Sequence, residues 1–412
     1  MLIAAAAAGC TEQAPRPGRA AEPAAENGVD VELSLPPGSG EPYLYAAADG
    51  RVLMSWHEPA GAGENALRFA IRESGAWGEP RTVHTSDRFF VNWADFPAIA
   101  EAPNGEIAVH WLEKVAEATY AYHVRLSTSR DGGTTWSAPV VPHRDDSPTE
   151  HGFVSIVPWG NGFGLVWLDG RAMTDDGHGG AMTDGGDEGA MALRFTELGG
   201  ASGFGEEILL DDRTCECCQT SMAVTRDGLI VAYRDRGPEE IRNIQIVRLT
   251  ADGWSTPAAV HDDGWMIPGC PVNGPQLSAS GHRVAIAWFT AARGVPQVLA
   301  AFSEDAGITW SAPFAVDEGR PVGRVDVELL DDGAIVTWLE ADGESGRILG
   351  RRVGADGRTG ASIEIASTGG GRSSGFPRMA RAGDDLVIAW TETGEQSRVR
   401  AGSLPVGAFP GR

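Results

Sequence analysis

Apolar and polar residues alternate in short runs along most of the chain, and one run in each unit ends in an aromatic. Glu106-Ile-Ala-Val-His-Trp111 is typical. A period of two marks a strand with one buried face. Such runs end at Trp56, Trp111, Trp167, Tyr233, Trp288, Trp338 and Trp390, spaced 50 to 66 residues apart. Around them lie further short strands, as in Phe96-Pro-Ala-Ile-Ala100 and His123-Val-Arg-Leu-Ser-Thr128, separated by Gly, Pro and Asp turns. No segment is long and periodic enough to predict a helix. A repeat of this length predicts a propeller or another repeat array, and seven aromatic strands predict seven units.

One turn recurs almost letter for letter. Ser129-Arg-Asp131-Gly-Gly133-Thr-Thr135-Trp136 and Ser303-Glu-Asp305-Ala-Gly307-Ile-Thr309-Trp310 share the pattern S-x-D-x-G-x-T-W, each followed by Ser-Ala-Pro. The Asp can accept backbone N–H bonds inside a hairpin, the Gly can take positive φ, and the Trp can wedge under the next sheet. Trp-x-x-Pro alone recurs at Trp77, Trp136, Trp254 and Trp310. The eight-residue pattern resembles the Asp-box, or BNR repeat, of the sialidase-like β-propellers. The resemblance covers three quarters or more of the chain and identifies a scaffold more sharply than an activity. It implies an all-β fold, a closed β-propeller of four-stranded blades. The aromatic count favours seven blades; six, the number in sialidases, is the alternative. The last unit, about 367–405, shows only three strands, and Val29–Leu35 is expected to supply the missing outer strand and close the ring. The expected organisation is a signal remnant over 1–10, a tether over 11–28, the propeller over 29–405 and a tail over 406–412.

The N-terminus changes the picture of location. Met1 to Cys10 resembles the end of a bacterial lipoprotein signal, with Cys10 as the lipidated residue, although no basic residue precedes the apolar stretch. The Ala-, Pro- and Glu-rich segment after it reads as a tether. The expectation is a lipid-anchored protein of the bacterial cell envelope; a cytoplasmic protein with an Ala-rich leader is the alternative. The formal net charge of −24 argues against nucleic acid and against anionic membrane surfaces as partners. Contact with a membrane is expected only through the anchor, and the chain is expected to be a monomer. The expected partner is an anionic carbohydrate, or else an envelope protein. Lys114 is the only lysine, so the positive charge is almost entirely Arg. That is either a composition bias or a supply of guanidinium forks for carboxylates.

Candidate chemistry gathers at strand ends. Two residues after the aromatic, six of the seven units carry a carboxylate: Glu58, Glu113, Asp169, Asp235, Glu340 and Glu392. This is either an inherited structural position or a ring of acids around the channel mouth. The resemblance to sialidases implies an arginine triad, an Asp acid and a Tyr–Glu nucleophile pair. Here Asp95-Phe96-Pro97 stands nearest to the family's Arg-Ile-Pro and lacks its Arg, and no Tyr follows Tyr233. Hydrolysis of sialosides is therefore not expected, and no Tyr–Glu pair is expected in the central pocket. The remaining polar cluster assigns Asp169, Asp235 and Glu240 as candidate catalytic groups. Arg171, Arg234, Arg236, Arg242 and Trp265 are the candidate substrate-binding groups; an inter-blade ion-pair network is the competing reading. The segments Asp212–Gln219 and Asp263–Pro275 lead into successive blades and carry Cys215, Cys217, Cys218 and Cys270. Those four are expected to converge, as disulfides or as a zinc or copper site with Met266 and His261 nearby. The Gly- and Asp-rich loop Arg171–Met191 reads as solvated, with a calcium site or a Met/His copper contact as alternatives. No cofactor is required by the fold. Three functions stay open: a propeller that binds, or binds and cleaves, an anionic glycan; a non-catalytic interaction propeller; and a metal-handling propeller.

Overall fold

The computed structural model describes residues 29–173, 189–199, 203–237 and 239–411. Cys10, the leader and tether, and the Asp, His178 and Met182 positions of the long loop lie outside these residues. Seven antiparallel sheets follow one another in chain order. Their inner strands are Gly40–Ala46, Ile99–Glu101, His151–Trp159, Ser221–Thr225, Gln276–Ser280, Pro321–Leu330 and Arg378–Ala382. Each inner strand touches the inner strand of the next blade, and that of blade 7 touches that of blade 1, so the ring closes around one axis. In blades 1 and 4 the outer strand is split into two pieces, and in blade 2 the third strand is edged by a single bridge from Leu126 to Val140. Helix is confined to three-residue 3-10 turns among the described residues.

The aromatic that ends each alternating run explains how the blades adhere. All seven are 4% exposed or less. Each lies in an apolar cluster with the preceding blade: Trp111 with Leu53 and Phe69, Trp167 with Leu112 and Tyr122, Tyr233 with Val166 and Leu168, Trp288 with Ile230 and Ile246. Trp56 closes the circle against Val387, Ala389 and Val399 of blade 7. Burial of one such ring contributes on the order of 2–3 kcal/mol, so seven of them make the inter-blade seams the main apolar store of the fold.

The closing strand is the one expected from the sequence. Asp30–Ser34 pairs with Arg398–Pro405 and completes the sheet of blade 7. Arg72 of blade 1 reaches across to Glu32 and Ser403 and fastens this edge. The tail beyond it is not free, because Phe409 is 1% exposed and packs on Leu330, Ile348 and Ile365 of blade 6.

The two repeated turns also join blades. Ser129 Oγ donates to Asp131 Oδ1 and accepts from the Gly133 amide, while the Asp131 carboxylate takes the Thr134 and Thr135 amides and the Thr135 hydroxyl. Asp305 is held by Ser303 and Thr309 in the same way. Gly133 has φ 82°, and a Cβ there would come within 2.0 Å of Phe69 of the preceding blade. Trp136 and Trp310, expected to be buried, are only half-buried. Trp136 meets Phe69 edge-on at 5.4 Å, and its indole nitrogen has no partner.

Candidate functional site

The residues singled out by sequence do not form one site; the structure divides them into three. Asp169 and Arg171 lie on blade 3. The Asp169 carboxylate is fully buried, accepts the Trp167 indole N–H at 2.8 Å, and is gripped at both oxygens by Arg171 at 2.7 and 2.6 Å. Arg171 is shared with Glu207 at 2.8 Å. Burial pulls the Asp169 acid up, but Arg171, His151 and Trp167 outweigh it and hold the group below the usual carboxylate range. A buried, ionised and fully bonded carboxylate is no proton donor.

Arg236, Glu240 and Arg242 do meet, on blade 4, with Glu216 between them. Arg242 donates to Glu216 and Glu240 at 2.8 Å each, and Arg236 donates to the same two carboxylates. Desolvation opposes ionisation of Glu240, yet the two guanidiniums keep its acid below the ordinary range. This is the ion-pair network of the competing reading, two cations closed on two anions. Asp235 faces away and accepts from Gln245 at 3.0 Å. Arg234 is 1% exposed and donates to the carbonyls of Asn273, Arg242 and Phe289, with Trp265 4.9 Å beneath it. It ties blade 4 to blade 5 and offers no donor to a ligand. Each of these arginines already spends donors inside the protein: Arg171 on Asp169 and Glu207, Arg234 on three carbonyls, and Arg236 and Arg242 on Glu216 and Glu240.

The ring of acids is likewise structural. Glu58, Asp169 and Glu340 each accept the indole N–H of the tryptophan two residues earlier. In five blades the acid also pairs with an Arg on the neighbouring strand: Arg68, Arg125, Arg194, Arg347 and Arg400. The acids therefore face along their own sheets rather than into the channel.

The cysteines converge as expected. Cys217 and Cys270 form a disulfide with Cα atoms 6.0 Å apart, pinning the leading loops of blades 4 and 5. Cys215 and Cys218 are buried free thiols. Desolvation raises both thiols, but the bond from Cys218 and the charge of Arg242 bring Cys215 down, while Cys218 is pushed well up. Met266 is 62% exposed and His261 is exposed, so neither belongs to this buried trio.

The mouth of the channel holds residues that the sequence did not single out. Trp93 and Phe376 stack at 5.8 Å, Phe376 meets Phe96 at 6.1 Å, and Phe96 stacks on Tyr43 at 5.6 Å. Three arginines lie on this ladder. Arg324 and Arg372 sit 5.0 and 5.9 Å from the Trp93 ring, and Arg378 sits 4.9 and 5.1 Å from Phe96 and Tyr43. Among the described residues neither Arg324 nor Arg372 pairs with a carboxylate. Burial, with Arg372 alongside, pulls Arg324 down to about 10. Arg378 lines an axial cavity of about 60 Å³ with Ser155, Thr220 and Gln276. It is 7% exposed, and its Nε and Nη1 have no hydrogen-bond partner, with Asp326 at 3.4 Å. A larger groove of about 490 Å³ on the edge of blade 1, lined by Arg51, Trp77 and Arg81, lacks any such convergence.

Beneath the ladder lies an acidic group. Burial, reinforced by Glu150, pushes Asp95 up to about 7, although it accepts the Phe153 amide. Tyr122 donates to Glu150, giving a Tyr–Glu pair that the sequence reading did not foresee. Neither Tyr122 nor Glu150 lines the axial cavity, where Tyr43 is the lining tyrosine among the described residues. Tyr122 is fully buried and stacked on Phe90 at 4.1 Å, and burial beside Glu150 raises its hydroxyl well above the ordinary value. Three histidines, His123, His143 and His151, also cluster between blades 2 and 3. Spacings of 8 and 20 residues in loop and strand ends gave no motif to find them by.

No protein-family model matches the chain, and no curated protein matches it. Solved structures do match. One is a protein of unknown function from Dyadobacter fermentans DSM 18053, 14% identical, covering 93% of this chain and 98% of that chain at a TM-score of 0.48. Another is the NanB sialidase from Streptococcus pneumoniae, 12% identical, covering 93% of this chain and 71% of that chain at a TM-score of 0.47. A third is an ulvan lyase of a new polysaccharide lyase family, 14% identical, covering 79% of this chain and 80% of that chain at a TM-score of 0.49.

Proposed function

We propose that this protein binds an anionic glycan at the mouth of its central channel. One observation carries the reading: the arginine–aromatic ladder that runs from exposed Arg372 over Trp93, Phe376 and Phe96 to buried Arg378. Indole and phenyl faces suit the apolar faces of sugar rings, and Arg378 Nε and Nη1, which have no hydrogen-bond partner, suit carboxylate or sulfate, whereas Arg324 spends its N–H groups on Ser374 and the Gly371 and Gly375 carbonyls. The axial cavity has room for about two waters, hence for one anionic substituent and not for a sugar ring. The ring would lie outside it, on Trp93. In a chain of net charge −24, cations without carboxylate partners at a mouth make a local attractor that the rest of the surface is not.

The reading is one of binding. Asp95 has the proton affinity for acid/base work, but at 5% exposure it sits under the ladder and not on it. The setting we propose is the cell envelope, with Cys10 as a lipid anchor; the disulfide between Cys217 and Cys270 suits an oxidising compartment. A panel of uronate-bearing, sulfated, sialylated and neutral oligosaccharides tests the proposal. Binding confined to the anionic members and weakening with salt is expected. Equal affinity for neutral sugars, or no binding across the panel, would overturn it.

A further inference from the structure

The histidine cluster stands apart from the glycan seat and does not depend on it. His123 is the second residue of the third strand of blade 2, His143 lies in the connection to blade 3, and His151 opens the inner strand of blade 3. They are 6%, 5% and 0% exposed. The His143 and His151 rings stack at 3.9 Å, and His123 meets both edge-on, at 4.7 and 5.0 Å. One nitrogen from each lies within 4.8 Å of the others.

We propose that His123, His143 and His151, with Asp145, bind a divalent metal ion of the zinc class between blades 2 and 3. Each ring spends one nitrogen on a backbone carbonyl. His143 Nδ1 lies 2.8 Å from Asp145 O, His151 Nδ1 3.1 Å from Thr149 O, and His123 Nε2 2.9 Å from Ser147 O. A ring nitrogen bonded to a carbonyl carries the proton, so the opposite nitrogen carries the lone pair. That arrangement fixes tautomer and ring direction in metal-ligating histidines. Two of the nitrogens left over, His143 Nε2 and His151 Nε2, are buried without a hydrogen-bond partner. A buried polar atom without a partner calls for an explanation, and two such nitrogens converging on one point are explained by an ion between them.

The carboxylates sharpen the point. Asp145 Oδ2 lies 3.1 Å from His151 Nε2, and Asp169 Oδ2 lies 3.7 Å from it. A lone pair facing a carboxylate oxygen at that distance is repulsive unless a cation lies between, either a metal ion or a proton. Asp169 is already held by the Arg171 guanidinium and Trp167, whereas Asp145 Oδ2 accepts the neutral Ser147 hydroxyl, which makes Asp145 the oxygen donor. Three imidazoles and one carboxylate suit zinc and its first-row neighbours, and do not suit calcium or magnesium, which take oxygen ligands. The ligands come from two blades and the segment joining them, so the ion would brace one seam of the ring.

The test uses the full chain, stripped with chelator and titrated with cobalt(II) and zinc. The expected result is one metal ion per chain, visible d–d bands without thiolate-to-cobalt charge transfer, and a Tm that rises with metal concentration. His143→Gln and His151→Gln should each remove the one-to-one binding. His84→Gln, at a half-buried histidine outside the cluster, should leave it intact. Should the cluster variants fail to fold, the wild-type spectrum still decides. A charge-transfer band would assign the ion to Cys215 and Cys218 and overturn the proposal. So would sub-stoichiometric binding without a Tm response, the outcome expected if a proton on His151 fills the gap.

Discussion

At the scale of single residues, the most instructive position is the carboxylate two residues after each aromatic. Its recurrence was legible in the sequence, but its role was not. The role depends on which Arg stands across the strand: Trp56 pairs with Arg68, Trp111 with Arg125, Trp167 with Arg194 and Trp390 with Arg400. That register follows from turn lengths and pairing, which alternation alone does not specify. The result is an indole, carboxylate and guanidinium set in blades 1, 3 and 6, and a carboxylate and guanidinium pair in blades 2 and 7. Its weight varies with burial. Asp169→Ala strands the buried Trp167 N–H and leaves the part-exposed Arg171 with Glu207 alone, and should lower unfolding free energy by about 2–3 kcal/mol. Glu392→Ala removes a side chain that is 42% exposed, and should cost no more than about 1 kcal/mol. Urea melts of both variants check this; equal losses would show that the set is not graded by burial.

Among the elements, the two S-x-D-x-G-x-T-W turns were read correctly as tight turns rich in Asp-to-amide bonds. The half-exposed setting of their tryptophans was not legible, because it depends on how far each turn leans over the neighbouring blade. The bonds from the Thr135 hydroxyl and amide depress the Asp131 acid to about 2. At Asp305 burial pulls the other way, but the Thr309 bonds win and also bring it to about 2. An unfolded Asp titrates near about 3.9. The stability tied to these groups is therefore fully present above that value and is lost as pH falls from about 4 through about 2. Both side chains face solvent, so the contribution is small. Thermal melts across that window should fall more steeply with acid for the wild type than for Asp131→Asn with Asp305→Asn. Parallel curves would show that the two carboxylates carry no acid sensitivity. Gly133→Ala should lower Tm as well, since it combines positive φ with a Cβ 2.0 Å from Phe69.

At the scale of the whole molecule, ring closure by the N-terminal strand was legible because blade 7 lacked a fourth run and one spare alternating run preceded blade 1. Deleting residues 29–35 should leave Arg398–Pro405 as an open sheet edge and take away the Glu32 partner of Arg72. The expected outcome is a lower Tm together with oligomers on size-exclusion chromatography; a monomer with unchanged Tm would show that closure does not depend on this strand. The convergence of Cys217 and Cys270 was likewise legible, because they precede inner strands of successive blades. The glycan seat was not. The proposed seat takes one to three residues from each of blades 1, 2, 6 and 7, at positions that look like ordinary core aromatics and strand-end arginines. Sequence reasoning went instead to the dense Arg and Glu cluster of blade 4, where density reflected charges that neutralise one another.

The comparison that tests the account most directly sets those two groups of arginines against each other. Affinity for an anionic oligosaccharide is measured for wild type, Arg378→Met and Arg236→Met, with Tm recorded for each. Losing one charge-assisted hydrogen bond of about 1.5–3 kcal/mol should weaken binding about tenfold to a hundredfold in Arg378→Met. Arg236→Met, which breaks ion pairs to Glu216 and Glu240, should lower Tm and leave affinity unchanged. Affinity lost in Arg236→Met and kept in Arg378→Met would contradict the account and return the site to blade 4.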